Sequence, residues 1–135
     1  MNKVAIIYWS GTGHTQAMAE AAQKGCEGTL LTAAEFDVSK VNAYDAFAFG
    51  CPSMGSEQLE ESEFQPMWDA VKGSLAGKPV ALFGSYGWGD GEWMRTWEDE
   101  CKSIGVLPVC ESVICNDEPD SNVLEDCERL GAALK

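Results

Sequence analysis

The sequence predicts an α/β fold with a doubly wound, five-stranded parallel sheet, on the strength of three observations. Short apolar runs alternate with helical stretches along the whole chain. The clearest runs are continuously apolar, as strands covered on both faces are. Three of the runs end in glycine-rich loops. Right-handed crossovers then place helices on both faces of the sheet.

Each element has its own signal. Val4 to Tyr8 is apolar and ends at a turn, so it reads as a buried strand. Thr15 to Lys24 follows as a helix, with Met18, Ala21 and Ala22 on one face. Thr29 to Thr32 is a short second strand, and Ala46-Phe47-Ala48-Phe49 is the third, stopped by Gly50. The segment 25–45 is short for a full helix, so the second crossover is expected to be a turn around Val41-Asn42-Ala43-Tyr44. Gln65 to Lys72 reads as a helix with Trp68 and Val71 inward. Val80-Ala81-Leu82-Phe83 is the fourth strand, stopped by Gly84. Glu92 to Ser103 is a helix whose face runs Trp93, Trp97, Cys101, Ile104. Val106 to Cys115 supplies a fifth strand, interrupted near Glu111. Ser121 to Leu134 is the last helix, with Ser121 as the expected N-cap.

The chain has 135 residues, enough for one domain with a real core. It carries 22 acidic and 9 basic side chains, a net charge of −13, with no basic cluster. That balance excludes nucleic acid and anionic membrane as partners. The charge is uneven: residues 1–56 carry a net of −2 and residues 57–135 a net of −11. No leader or membrane-spanning segment is visible, so a cytoplasmic location is expected. The six cysteines include no C-x-x-C pair, and there is a single histidine, so zinc is not indicated. They read as reduced thiols used in packing.

In such sheets the ligand sits beyond the carboxyl ends of the strands, where the three loops should meet. The first, Trp9-Ser10-Gly11-Thr12-Gly13-His14-Thr15, opens a helix and offers backbone amides and hydroxyls to an anion. It lacks the lysine of a Walker loop, and Gln16 takes the third glycine position of a dinucleotide loop. A phosphatase Cys–Arg pair is also absent, which favours holding a phosphomonoester over cleaving it. The second loop, Gly50-Cys51-Pro52-Ser53-Met54-Gly55-Ser56-Glu57, presents Met54 in polar surroundings. The third, Gly84-Ser85-Tyr86-Gly87-Trp88-Gly89-Asp90-Gly91, flanks Trp88 with glycines, so its own element cannot bury it. A phosphate loop, a methionine and a free tryptophan at one sheet end suit a flat phosphorylated ligand.

These loops are similar to those of flavodoxins, small FMN-binding electron carriers, and specifically to the short-chain type of anaerobic bacteria. Ser10-Gly11-Thr12-Gly13-His14-Thr15 resembles the family's phosphate loop, Met54-Gly55-Ser56-Glu57 its flavin-flanking loop, and Gly84 to Gly91 its second flavin loop. The likeness continues through Glu61-Ser62-Glu63-Phe64 and Asn116-Asp117-Glu118-Pro119-Asp120, over the whole chain. It implies a single flavodoxin-like FMN-binding domain over residues 1–135 and the strand order 2-1-3-4-5. That order comes from the resemblance, not from spacing.

The resemblance also implies roles. Ser10, Gly11, Thr12, Gly13, His14 and Thr15 would hold the FMN phosphate, with Ser53 and Ser85 nearby. Trp88 and Met54 would cover the two ring faces, with Pro52, Tyr86 and Gly87 in the same loops. Glu57 would accept from the flavin N3–H, and Gly89 and Asp90 would line the pyrimidine edge. The Gly55 peptide would rotate to meet N5–H of the semiquinone, a motion that glycine permits cheaply. His14 stands where the family usually has Asn; it reads either as a polar helix-start residue, the favoured reading, or as a charge that assists the phosphate.

The implied function is a low-potential one-electron carrier that shuttles electrons between redox proteins through the semiquinone and hydroquinone, not an enzyme. Acids near the ring would oppose its reduction by roughly 0.4–1.7 kcal/mol each at about 10 Å before screening. Glu57, Asp90 and Glu92 are nearest in sequence, with Glu60, Glu61, Glu63 and Glu118 as a rim. A monomer is expected, docking basic-faced donors and acceptors shared with ferredoxin. The alternatives are an FMN-dependent quinone or NADPH reductase on the same fold, and a plain phosphate- or nucleotide-binding module. No side-chain pair is set up for acid–base or nucleophilic chemistry.

Overall fold

The computed structural model describes residues 2–135. Its sheet has the order β2-β1-β3-β4-β5, with β6 also on β4, and every pairing is parallel. The strands are β1 (Val4–Tyr8), β2 (Thr29–Thr32), β3 (Ala46–Gly50), β4 (Pro79–Tyr86), β5 (Leu107–Pro108) and β6 (Val113–Asn116). The helices are α1 (His14–Cys26), α2 (Phe64–Val71), α3 (Glu92–Ile104) and α4 (Ser121–Leu134). The last two strands are the halves of the expected interrupted fifth strand. Val80 pairs with Pro108 and Phe83 with Val113, so the outer chain carries two extra residues between the halves and bulges there.

Successive residues on a strand point to opposite faces, and the two cores follow that rule. Val4, Ile6, Ala46, Ala48, Ala81 and Phe83 pack under α1 and α4. Ala5, Ile7, Phe47, Phe49, Val80 and Leu82 pack with α2 and α3, whose Trp68, Trp93 and Trp97 are almost fully buried. Helices α1 and α4 cross at two glycines. A Cβ on Gly25 would fall 2.0 Å from the Glu128 carbonyl oxygen, and one on Gly131 would fall 2.0 Å from that of Ala22.

Three expectations change. The second crossover is two 3-10 segments, Ala33–Glu35 and Val38–Ala43, rather than one turn around Val41 to Tyr44. Asp37 caps the second by accepting from the Ser39 amide at 2.9 Å. Strand β4 does not stop at Gly84 but runs on to Tyr86, because glycine there lets a neighbouring chain lie close. Asp120, not Ser121, caps α4, accepting from the Val123 amide at 2.9 Å. The cysteines are all unpaired, five buried and Cys110 exposed. Burial pushes the Cys51, Cys101 and Cys127 thiols up to about 12 and Cys115 up to about 11, so they stay protonated and inert. No helix among the described residues is long and apolar enough to cross a membrane.

Candidate functional site: the crevice at the carboxyl end of the sheet

Strands β1, β3 and β4 deliver the three loops to one end of the sheet, next to the point where strand order reverses between β1 and β3. In the first loop Ser10 is the organiser. Its Oγ accepts from the Gly13 amide at 3.1 Å and the Gln16 amide at 3.2 Å. Gly13, at φ 95°, turns the chain into α1 without a side-chain cap. The amides of Gly11, Thr12 and Thr15 find no acceptor among the described residues. Free N–H groups at a helix N-terminus with no acid in its first turn form a cradle for an anion. Behind the loop, Thr15 Oγ1 and Ser85 Oγ lie 3.0 Å apart and are both buried. Only one of these hydroxyls can donate to the other, so the second O–H proton is free to serve an anion.

The second and third loops are zipped together. The Cys51 amide donates to Phe83 O at 3.2 Å and the Ser53 amide to Ser85 O at 2.9 Å, beside Pro52. The buried Trp93 indole N–H donates to the Cys51 carbonyl at 3.1 Å. Met54 and Gln58 exchange two backbone bonds of 2.8 Å, which makes residues 54–58 a tight hairpin. Gly55, at φ 55°, sits at its tip, where a Cβ would meet only the Gln58 side chain, 4.0 Å away. Glu57 is a non-glycine residue at φ 55°, a conformation that costs energy and persists where surroundings enforce it. Its carboxylate accepts from the Glu92 amide at 2.9 Å and so caps α3, whose Gly91 offers no cap of its own. A Cβ on Gly89 would come within 2.4 Å of that carboxylate carbon. Gly87 approaches Asp117, whose amide donates to Tyr86 O at 2.7 Å. Asp90 pairs with Arg95 at 3.0 Å on the surface.

Trp88 is 68% exposed and Met54 39%, although both are large and apolar. Cavities of about 250 and 330 Å³ flank the crevice, beside Ser10 and Met54 respectively. Larger ones, about 400 and 480 Å³, lie at the broken fifth strand and touch none of the three loops. Size does not decide here, because a flat ring stacked on an exposed indole needs a crevice with an anchor, not an enclosed cavity.

Two features of the site were not expected from the sequence. Glu60, read as a rim charge, is buried, 5% exposed, with its carboxylate turned onto the start of α2. The Trp9 indole N–H donates to Glu63 Oε1 at 3.1 Å and so joins the first loop to the same helix start. A carboxylate three or four residues ahead of a helix is the one local hint of the first. Nothing local marks the second.

The arrangement defines a class: a doubly wound protein with open backbone amides and an uncovered indole at its switch-point crevice. The family model described as flavodoxin matches residues 6–131. The chain is 44% identical to a flavodoxin of Clostridium beijerinckii and 43% identical to one of Megasphaera elsdenii, each over 96% of both chains. The solution structure of two-electron reduced Megasphaera elsdenii flavodoxin superposes with a TM-score of 0.88 at 38% identity over 97% of both chains. The chain belongs to the flavodoxin family, and it is an FMN-binding electron-transfer protein rather than an enzyme. The residues present fit that cofactor: open amides for the phosphate, and an indole and a thioether left uncovered for the ring.

Proposed function

We propose that this chain carries single electrons at low potential between redox proteins, with FMN held in the crevice of the three loops. The observation that carries this reading is the pairing of an acceptor-free amide cradle with the exposed Trp88 at one end of the sheet. When bound, the flavin supplies reversible one-electron chemistry, which no side chain here could. Ser10 to Thr15, with Ser53 and Ser85, fix the phosphate, while Trp88 and Met54 cover the ring. Glu57 and the residues Tyr86 to Asp90 meet its polar edge. Glu57, Asp90, Glu92, Glu61, Glu63 and Glu118 place negative charge around the crevice, which disfavours adding an electron and attracts basic-faced partners. A cytoplasmic, monomeric carrier is the setting this reading implies. An anaerobic redox titration of the purified chain with FMN tests it. One flavin per chain and two separate one-electron steps are expected. Failure to take up FMN, or direct oxidation of NADPH by the isolated protein, would defeat the reading.

Two further outcomes follow from the loops. Gly55→Thr is expected to bring the two one-electron potentials closer, because a β-branched side chain at φ 55° costs about 1–2 kcal/mol and hinders rotation of that peptide. Unchanged potentials would sink that role. His14 is the first residue of α1 and serves there as a polar helix-start residue, so His14→Asn should leave the ratio of FMN to riboflavin affinity unchanged.

A further inference from the structure

Residues 57–63 hold four glutamates, and three of them keep some exposure to solvent. Glu60 is buried. Its Oε1 accepts from the amides of Glu63 at 2.8 Å and Phe64 at 2.9 Å. Its Oε2 accepts from the Ser62 amide at 2.8 Å and from the Ser62 hydroxyl. Its backbone is also engaged. The Glu60 amide donates to Cys51 Sγ at 3.3 Å, and its carbonyl accepts from the Gln65 amide at 2.8 Å. One buried side chain thus supplies the cap that α2 lacks at Glu63. The Glu60 backbone amide, bonded to Cys51, ties the chain two residues after the Met54–Gln58 hairpin to the segment that leads into that hairpin.

We propose that Glu60 is a positioning residue for the flavin-flanking loop, holding the Met54–Gln58 hairpin at a fixed height over the sheet end through the start of α2. The proposal rests on the reading of the crevice as an FMN site. The chemistry calls for a carboxylate. Four donors converge on two oxygens, and a glutamine would turn its own amide hydrogens toward two of them. Aspartate would fall one methylene short while the Cys51 bond holds the backbone back. Burial works to raise the Glu60 pKa, but the bonds from Ser62, Phe64 and Glu63 outweigh it and hold the carboxyl below its ordinary value.

The test compares Glu60→Gln with Glu61→Gln, which removes the same unit of charge from an exposed neighbour. Amide hydrogen exchange is followed on the full chain before and after adding FMN. In Glu60→Gln the Met54 and Gln58 amides should exchange at least about tenfold faster, as a loop that opens locally does. The equilibrium that separates the two one-electron steps should fall about tenfold, or roughly 59 mV. FMN and riboflavin affinities should drop by nearly the same factor, because Glu60 makes no bond to Ser10 through Thr15. Glu61→Gln should leave exchange at both amides unchanged and move the potentials only through its charge. Should Glu60→Gln fail to fold, Ser62→Ala withdraws one donor, keeps the charge and should show the same pattern at about threefold. The proposal is overturned if Glu60→Gln matches Glu61→Gln. It is equally overturned if exchange quickens at Glu63 and Phe64 but not at Met54 and Gln58. If the wild type takes up neither flavin, the FMN reading fails, while the exchange measurement still decides the role of Glu60.

Discussion

Gly84→Ala is expected to remove most of the protein's flavin affinity together with a large part of its stability. A Cβ at this position would lie 2.2 Å from the Cys51 carbonyl oxygen and 3.1 Å from the Trp93 ring. Neither neighbour can yield. The Cys51 backbone is tied to β4 by its amide, and its carbonyl holds the buried Trp93 indole at 3.1 Å. Overpacking of this kind costs about 1–3 kcal/mol. Prising the carbonyl away leaves a buried N–H without a partner, which adds about 1–3 kcal/mol. A loss of about 3–4 kcal/mol should lower the melting temperature by roughly 10–15 °C. The second and third loops part at the same point, so FMN affinity should fall at least about tenfold, the equivalent of 1.4 kcal/mol. Gly73→Ala is the control, because a Cβ there meets nothing within 4 Å and φ is not positive. It should be neutral or mildly stabilising, by up to about 1 kcal/mol. Thermal unfolding and flavin titration read both variants, and a Gly84→Ala protein that melts within a degree or two of wild type would contradict the argument.

Gly84 also shows where sequence reading reached its limit. The strands were legible because buried parallel strands carry their signal locally, as continuous apolar runs of four or five residues. The first loop, with its open amides, was legible for the same reason: its glycines and hydroxyls fall within seven consecutive residues. Gly84 looked like a strand stop, since glycine punctuates strands. Its actual use, admitting the Cys51 carbonyl from a chain 33 residues away, depends on a contact that no local pattern encodes. Thr15 meets Ser85 across 70 residues, and Trp9 meets Glu63 across 54, for the same reason. Glu60 was hidden differently. In a run of acids every carboxylate looks solvated, and only the path of the chain decides which one turns inward. The second crossover escaped because 3-10 turns have a period close enough to that of irregular chain to leave little hydrophobic pattern.

Trp88→Ala should have the opposite profile to Gly84→Ala: no effect on folding and a large effect on the ligand. The indole is 68% exposed, so the folded chain gains almost nothing from it, and truncation should shift stability by no more than about 0.5 kcal/mol. Its value appears only when a flat ring lies against it. Stacking of an aromatic side chain on a nucleic-acid base is worth about 1–3 kcal/mol, and on that scale flavin affinity should fall about 5- to 150-fold. The loss should be equal for FMN and riboflavin, because the proposed phosphate cradle of Ser10 to Thr15 is not involved. Phenylalanine or tyrosine at 88 should restore most of it. Met54→Ala should follow the same pattern more weakly, since a thioether against an aromatic ring is worth about 0.3–1.5 kcal/mol. Flavin fluorescence quenching on titration, read beside thermal unfolding of the same samples, separates the two effects. If Trp88→Ala lost stability while keeping its flavin affinity, the exposed indole would be serving the fold, and the crevice would need another wall. Retained stability with lost affinity would instead place Trp88 on the ring, where an otherwise costly exposed aromatic has a reason to stand.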